Sequence, residues 1–313
     1  MSGSRAEVSQ GVAAQGAFAS LKYRKNRDRV VELVLLLAGL VAVFTTIAIV
    51  FILVYESAAF FETVTIKEFL TDTLWSPLFD DAHYGIMPLV SGTLTTTFVG
   101  LLVAIPLGTI VAIYLSEFAG HRLRETVKPI LELIAAVPTV VFGYFALLVV
   151  SPFLRGFMPE LPGFNMLSAG LVIGLMIVPY IASVAEDAMR SVPRYMREGS
   201  YAMGATKLQT ALRVVVPGAL SGIAAAYILG ISRAVGETMV VAIAAGMQPQ
   251  LTFNPTEPAA TITAFIVQVS LGDLPHGSIG YQSIFAAGLV LMIMTLVFNL
   301  IGFYLTRKFR EAY

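Results

Sequence analysis

Apolar residues in this chain gather into six long stretches that are separated by polar and charged segments. Each stretch holds about twenty or more consecutive, mostly apolar residues, which is the length a helix needs to cross a bilayer core. The pattern predicts an all-α polytopic membrane protein with six transmembrane helices, at residues 30–55, 89–115, 127–150, 167–188, 218–245 and 283–306.

Three of the predicted spans contain an internal proline, namely Pro106, Pro138 and Pro179. Proline removes a backbone donor and bends a helix, and membrane helices tolerate this when neighbours satisfy the freed carbonyl. We therefore expect spans two, three and four to be bent. The sequence leaves open whether the bends serve movement or only packing.

The polar segments define the rest of the domain organisation. Residues 1–29 are rich in small and polar residues and predict a mobile N-terminal segment, followed by one transmembrane domain over residues 30–313. The longest loop on the opposite side, residues 56–88, contains the only tryptophan, Trp75. We interpret it as a capping loop with an interfacial Trp, or alternatively as a contact for an external partner.

The distribution of basic residues predicts the orientation. They concentrate before span one, between spans two and three, between spans four and five, and after span six, whereas the opposite loops hold only Lys67 and Arg155. By the positive-inside rule, both termini and the loop at residues 190–217 are cytosolic. The long first stretch, without a small-residue cleavage site, is not typical of a cleaved signal peptide.

Composition narrows the function classes. The chain is 57% hydrophobic and 13% charged with no net charge, which favours a membrane protein and gives no indication of a nucleic-acid partner. There is no cysteine, and the three histidines, His83, His121 and His276, lie far apart in predicted loops. We expect no catalytic residue, metal ligand or cofactor.

The cytosolic loop at residues 190–217 has the pattern of two short helices. Pro193 suits a first helical turn, and Gly204 suits the left-handed position after a helix end. Thr206 and Gln209 form a capping box that starts a second helix, which ends near Pro217. The pattern alone also fits an amphipathic helix that lies on the membrane surface.

A charged pair lies inside predicted span five. Arg233 is the only basic residue well inside a span, and Glu237 follows four residues later, so the two would share one helical face and could pair. Ser232 and Thr238 add hydroxyl groups. One interpretation is a structural ion pair; the other is a passing anion site, because arginine presents a donor fork that suits an oxyanion.

The carboxylate of Glu237 favours one class of anion. It would repel a fully deprotonated anion such as sulfate, but it could accept a hydrogen bond from the proton of hydrogenphosphate. Sulfate, molybdate and tungstate stay open as alternatives. A secondary transporter and a membrane-embedded enzyme are further alternatives, but the enzyme would need a nucleophile, base or metal cluster that the spans do not show.

The cytosolic loop resembles the E-A-A motif of the permeases of ABC importers. Glu198, Gly204 and Pro217 match its spacing, together with Val214 and Val216, whereas Gly199 and Ser200 replace the two alanines. In that family the motif helix docks into a groove of the ATPase subunit. The resemblance implies a type I ABC-importer permease fold in which Glu198, Gly199, Gly204 and Pro217 couple the chain to an ATPase.

Residues 233–239, R-A-V-G-E-T-M, resemble the signature of the PstC and PstA permeases of bacterial phosphate importers. Residues 88–94, 112–117, 138–143 and 186–193 are similar to the PstC type, with Thr139 where that type usually has Ser. The resemblance implies a multi-pass subunit of the bacterial plasma (inner) membrane that imports phosphate, with Arg233, Glu237 and Thr238 on the path.

The same resemblance implies partners. They are a second permease of the PstA type, a dimer of ATPase subunits and an external phosphate-binding protein. The chain has no G-x-x-x-x-G-K-[ST] phosphate-binding loop of its own, so ATP hydrolysis would belong to the partner subunits.

Overall fold

The computed structural model describes residues 3–77, 79, 81–272, 275 and 277–308, with side chains from residue 28 onward. The chain divides into two compact units, Met1–Tyr55 and Glu56–Tyr313. The structure describes no side chains for residues 1–27, so the predicted mobility of residues 1–29 stays a prediction. His276, which the sequence predicts to lie in a loop, is outside the described residues.

The first half of the described chain contains seven helices and one isolated antiparallel bridge, between Trp75 and Tyr84. The helices are α1 (Gly3–Thr63), α2 (Ile66–Thr71), α3 (Met87–Ile113), α4 (His121–Ala135), α5 (Thr139–Phe145), α6 (Ser151–Arg155) and α7 (Met166–Ser191). Two π-helical turns, Tyr114–Phe118 and Ala146–Val150, follow α3 and α5 directly.

The second half is also helical. Its helices are α8 (Arg194–Ala202), α9 (Lys207–Thr210), α10 (Val216–Gly218), α11 (Leu220–Val235), α12 (Met239–Ala244), α13 (Ile262–Ser270) and α14 (Ile279–Lys308). A third π-helical turn, Ala211–Val215, joins α9 to α10.

Four continuous helices in the described chain are long and apolar enough to cross a membrane, and these confirm the all-α class. They are Asp28–Thr63, Met87–Phe118, Met166–Ser191 and Ile279–Lys308. Two bent pairs bring the number up to six if each pair is one span: α4 with α5–α6, bent by 84°, and α9–α10 with α11, bent by 74°. The 84° bend confirms the predicted bend of span three, and the 74° bend lies at Ala219, where predicted span five begins.

Predicted span three breaks at Pro138, which precedes α5. Proline has no backbone N–H and disfavours the helical conformation of the residue before it, so the helix that ends at Ala135 cannot continue through it. Pro106 and Pro179, in contrast, lie inside α3 and α7, which both continue past them.

Predicted span five breaks at residues 236–238, between α11 and α12. The helix ends at Val235, and the chain resumes a helix only at Met239. The carbonyl oxygen of Glu237, freed by the break, accepts a hydrogen bond of 2.6 Å from the hydroxyl of Thr263 near the start of α13. A side chain from a neighbouring helix thus replaces the missing backbone partner, which is what permits a break at membrane depth.

The core of the second unit forms where α3 and α7 run side by side in the same chain direction. A Cβ atom on Gly174 would lie 2.6 Å from the carbonyl oxygen of Gly100, and one on Gly108 would lie 2.8 Å from Ile181. Glycine is therefore required at these crossings, because it lets the two backbones approach closely. Buried side chains of α7, including Met176, complete this core.

The predicted external loop packs through aromatic rings. Trp75 is only 3% exposed and meets Phe265 edge to face, with ring centroids 4.9 Å apart. Phe69 and Tyr84 contact the same indole. The interpretation of Trp75 as an interfacial residue is therefore wrong, because the rings of α2 and α13 bury it.

An ion pair closes the same loop. Nδ1 of His83 lies 3.0 Å from Oδ2 of Asp72, and Nε2 lies 3.8 Å from Oδ2 of the exposed Asp81. The hydrogen bond to Asp72 raises the pKa of His83, against a smaller opposing effect of burial. Burial alone would raise the pKa of Asp72, but hydrogen bonds from the Leu74 amide and from His83 leave it lowered.

These pKa shifts predict that the loop is best ordered in an intermediate pH window. Since the folded pKa of His83 is raised, its contribution is complete below about pH 6.5 and is lost as the pH rises through the folded pKa. The contribution of Asp72, whose pKa is lowered, is lost as the pH falls through its folded pKa.

Fluorescence of Trp75, the single tryptophan, reports this change. We expect its emission to shift to longer wavelength as the pH rises above 6.5. The His83→Gln variant is the control and should show no such shift. An equal shift in the variant would contradict the role of His83.

Candidate functional site

Arg233 lies in the last turn of α11, just before the break in predicted span five. Its guanidinium carbon lies 4.2 Å from the centroid of the Tyr180 ring, which belongs to α7. Its Nε atom is buried and makes no hydrogen bond within the described part of the chain. A buried donor without a partner costs free energy, so this nitrogen departs from the usual pairing of buried polar groups.

Glu237 and Thr238 form the break itself. Glu237 is only 7% exposed, and its Oε1 atom accepts a hydrogen bond of 3.3 Å from the backbone N–H of Val240 in the first turn of α12. A carboxylate at a helix start is favoured by the unsatisfied N–H groups there. The hydroxyl of Thr238, which is partly buried, donates to the carbonyl oxygen of Gly236.

The expected shared helical face of Arg233 and Glu237 is not formed. The prediction assumed one continuous helix, in which residues four apart share a face. Because α11 ends at Val235, Glu237 points toward the start of α12, and the described residues show no ion pair between the two side chains. Ser232 is also engaged elsewhere, since its hydroxyl donates to Oδ1 of Asn299 on α14 at 3.0 Å.

The second group of predicted residues lies in the hairpin formed by α8 and α9. Gly204 has a φ of +81°, the left-handed conformation that the sequence predicted after the first helix. Both hydrogen bonds of the capping box between Thr206 and Gln209 are present. The hydroxyls of Ser200 and Thr210 lie 2.9 Å apart and join the two helices.

A buried ion pair attaches this hairpin to the transmembrane helices. Nη2 of Arg197 on α8 lies 3.1 Å from Oε1 of Glu117, in the π-helical turn after α3. The same guanidinium donates to the carbonyl oxygens of Met189 and Val192, at 2.7 and 2.5 Å, at the end of α7. Arg197 therefore joins α3, α7 and α8 at one point.

A second charged cluster ties α4 to α7 on the same side. Glu186, which is buried, lies 3.0 Å from Nζ of Lys128 and within 3.9 Å of Arg124. Lys128 also lies 2.6 Å from Oδ1 of Asp187. This cluster holds the amphipathic helix α4 against the end of α7 despite the 84° bend that follows α4.

The hairpin presents its predicted coupling residues to the outside. Glu198, Gly199, Gly204 and Pro217 are all exposed. Around them lie five exposed large apolar side chains, those of Tyr195, Tyr201, Met203, Leu208 and Leu212. Exposed apolar patches of this kind, rimmed by polar residues, mark interaction surfaces.

The two groups of predicted residues are separate. Arg233 and Glu237 lie at one end of α11 and Pro217 near the other, so the 16 residues of α11 set them about 24 Å apart along its axis. Within the described residues no group of three His, Asp or Glu side chains could hold a metal ion.

A profile for the family described as a binding-protein-dependent transport system inner membrane component matches residues 104–311. The chain belongs to this family, and it is a multi-pass protein of the inner membrane.

Curated relatives of the chain are permease proteins. The chain is 36% identical over 241 residues to the probable ABC transporter permease protein YqgH of Bacillus subtilis (strain 168), covering 77% of this chain and 78% of that one. It is 34% identical over 254 residues to the phosphate transport system permease protein PstC 1 of Mycobacterium tuberculosis, covering 74% of each chain. The PstC protein of Mesorhizobium japonicum is 31% identical over 262 residues.

Solved structures of ABC transporters share the fold. A bacterial alginate ABC transporter in complex with a pentasaccharide-bound periplasmic protein matches with a TM-score of 0.57 at 19% identity, covering 82% of this chain and 87% of that one. The MetNI methionine ABC transporter in an inward-facing conformation matches with a TM-score of 0.54 at 20% identity, covering 72% and 95%.

Sequence reasoning assigned no site role to Tyr180, Arg197, Glu117 and Glu186. The sequence did contain a signal for Glu117 and Glu186, because a carboxylate near the end of an apolar span has to find a partner when it is buried. Arg197 appeared only as one basic residue among several, and Tyr180 as one aromatic in a span. Their partners come from helices distant in sequence, so only the fold could identify them.

Loss of Arg197 should release the hairpin from the bundle. The side chains of Arg197 and Glu117 are 16% and 4% exposed, and removing one partner of a buried pair costs about 3–5 kcal/mol. Because the chain has no cysteine, a single Thr210→Cys probe on the buried face of the hairpin reports opening through its labelling rate. We expect Arg197→Leu to raise that rate about tenfold or more.

The matched control is Arg194→Leu, which removes an exposed arginine from the same helix. It should leave the labelling rate close to that of the parent. Equal rates in the two variants would show that the pair with Glu117 does not hold the hairpin.

Proposed function

We propose that the chain is the permease subunit of an ATP-driven importer that moves inorganic phosphate into the cell. In this proposal it pairs with a second, PstA-type permease and receives phosphate from an external binding protein. Its 198–217 loop binds a dimer of cytosolic ATPases that hydrolyse ATP, while this chain itself is not an enzyme. The observation that carries the proposal is Arg233, a guanidinium with an unused buried donor at a break in a span, in a chain related to PstC permeases.

The chemistry of Arg233 suits an oxyanion in transit. A guanidinium offers five N–H donors in a planar fork that matches phosphate geometry. An arginine inside a membrane domain is costly, by about 2.5–3.5 kcal/mol at a span centre, and such residues commonly mark a substrate path. Since Glu237 does not neutralise it, the positive charge of Arg233 stays available to the anion.

Glu237 supplies the selectivity in this proposal. One carboxylate oxygen is engaged by the N–H of Val240, and the described residues give the other oxygen no hydrogen bond. That second oxygen can accept a hydrogen bond from the proton of hydrogenphosphate. Sulfate carries no such proton at neutral pH, so the same carboxylate would repel it.

The hairpin supplies the coupling. Its exposed apolar side chains surround Gly204, and Met203 at the turn is 88% exposed. An exposed methionine on a surface patch is suited to insertion into an apolar groove of a partner. The ion pair of Arg197 with Glu117 would carry displacement of the hairpin into the ends of α3 and α7.

The function is tested by phosphate uptake. The chain is deleted in its host, and labelled phosphate uptake is measured under phosphate limitation with sulfate and molybdate as competitors. We expect uptake to disappear, to return with the parent chain but not with Arg233→Gln, and to resist both competitors. In the Glu237→Gln variant uptake should fall and its pH dependence should change. Loss of another oxyanion's uptake with phosphate uptake unchanged would contradict the substrate assignment.

The coupling surface is tested by Met203→Glu. This change adds a charge to a fully accessible side chain, so we expect the protein to fold normally but to lose co-purification with its ATPase partner and most ATP-dependent uptake. Truncating or charging an interface anchor commonly costs about 2 kcal/mol or more. Gly204→Val, which forces a branched side chain into a left-handed conformation, should act in the same direction.

The matched control is Leu271→Glu, which changes a side chain of 83% exposure that follows α13, away from the hairpin. Co-purification and uptake should match the parent. If Met203→Glu retained both as well, the hairpin would not be the ATPase contact.

A further inference from the structure

The ring of Tyr180 lies against the guanidinium of Arg233. We propose that Tyr180 is a positioning residue that orients Arg233 for the anion. This inference rests on the proposed function, because it assigns Arg233 to the anion path. In addition to the proposed function, it assigns a role to Tyr180, whose ring contacts the charged group of Arg233 and leaves the hydrogen-bond donors of that arginine free for the anion.

The ring of Tyr180 is fixed at both ends. Its backbone belongs to α7, directly after Pro179, and its hydroxyl donates a hydrogen bond of 3.0 Å to the carbonyl oxygen of Ala135. Ala135 is the last residue of α4, where carbonyl groups have no partner within the helix. The hydroxyl therefore satisfies the end of α4, and the bond prevents the ring from turning away from Arg233.

The contact is suited to a cation that has to bind a second ligand. The face of an aromatic ring attracts a cation through its quadrupole, but it accepts no strong hydrogen bond from the guanidinium. An ion pair with a carboxylate would instead occupy the donor fork. Over Tyr180 the charge of Arg233 is partly compensated, whereas Nε remains buried and unpaired.

The neighbouring polar side chains cannot take over this role. Ser232 donates to Asn299, and Glu237 accepts from the amide of Val240. Thr238 donates to the carbonyl oxygen of Gly236. In the described part of the chain, the ring of Tyr180 is what holds the guanidinium in place between transport events.

Graded fluorination of the ring tests the proposal. In the complete transporter, residue 180 is replaced by phenylalanine and then by phenylalanines with one, two and three ring fluorines, which weaken the quadrupole and nearly preserve the shape. Phosphate uptake is measured at saturating phosphate, so that the binding protein does not limit the rate. We expect the rate to fall stepwise with fluorination, by about 2- to 30-fold over the series.

Two variants without fluorine separate the ring from the hydroxyl. Tyr180→Phe keeps the ring and loses the bond to Ala135, so its uptake should stay much closer to the parent than that of Tyr180→Leu. Both variants should assemble with the other subunits to the same extent, which is measured by co-purification.

The matched control is the same fluorinated series at Tyr227 of α11. The hydroxyl of Tyr227 lies 2.7 Å from that of Thr109, and no cation lies over its ring among the described residues. Uptake should differ little along this series.

The outcomes separate the inference from the proposed function. A flat series at residue 180, with uptake lost in Arg233→Gln, would overturn the role of Tyr180 and leave the function intact. Full phosphate uptake in Arg233→Gln would remove Arg233 from the path and the inference with it. A stepwise fall at residue 180 and a flat series at residue 227 would support the positioning role.

Discussion

The structure depends on one constraint, which is that every backbone polar group at membrane depth must find a partner inside the protein. Two helical segments are broken, after Ala135 and after Val235, and each break frees carbonyl oxygens. A hydroxyl from a neighbouring helix satisfies one of them in each case: Tyr180 donates to Ala135, and Thr263 donates to Glu237. The two breaks are therefore supported by side chains of α7 and α13.

Helix α7 connects the features on the predicted cytosolic side with the break near Arg233. Its last turns hold Arg197 of the hairpin through two carbonyl groups, and its buried Glu186 holds α4 through Lys128. Further along the same helix, Tyr180 contacts Arg233. Close packing against α3 at Gly174 leaves little room for α7 to deform locally. Helix α7 therefore contacts the hairpin, α4 and Arg233 from one continuous element.

Much of the site could be anticipated from local sequence, and the part that could not depends on contacts between distant residues. The left-handed Gly204 and the capping box at Thr206 were predicted because turn and cap geometry is a property of a few adjacent residues. The shared helical face expected for Arg233 and Glu237 was not correct, because the spacing rule assumes a helix that α11 does not continue. The partners Tyr180 and Glu117 lie more than fifty residues from the arginines that they contact, and no local pattern connects them.

The sequence by itself determined the class of the protein, its membrane-spanning stretches and the residues that carry charge into them, because apolar length and charge placement decide what a bilayer accepts. It also determined the hairpin and the family resemblance. Only the tertiary structure decided that Pro138 ends a helix while Pro106 and Pro179 remain inside theirs, and that the helix of span five stops at Val235. The physical reason is that a break in a membrane helix is stable only where another helix supplies the missing hydrogen bond, and that supply is a property of the packed bundle.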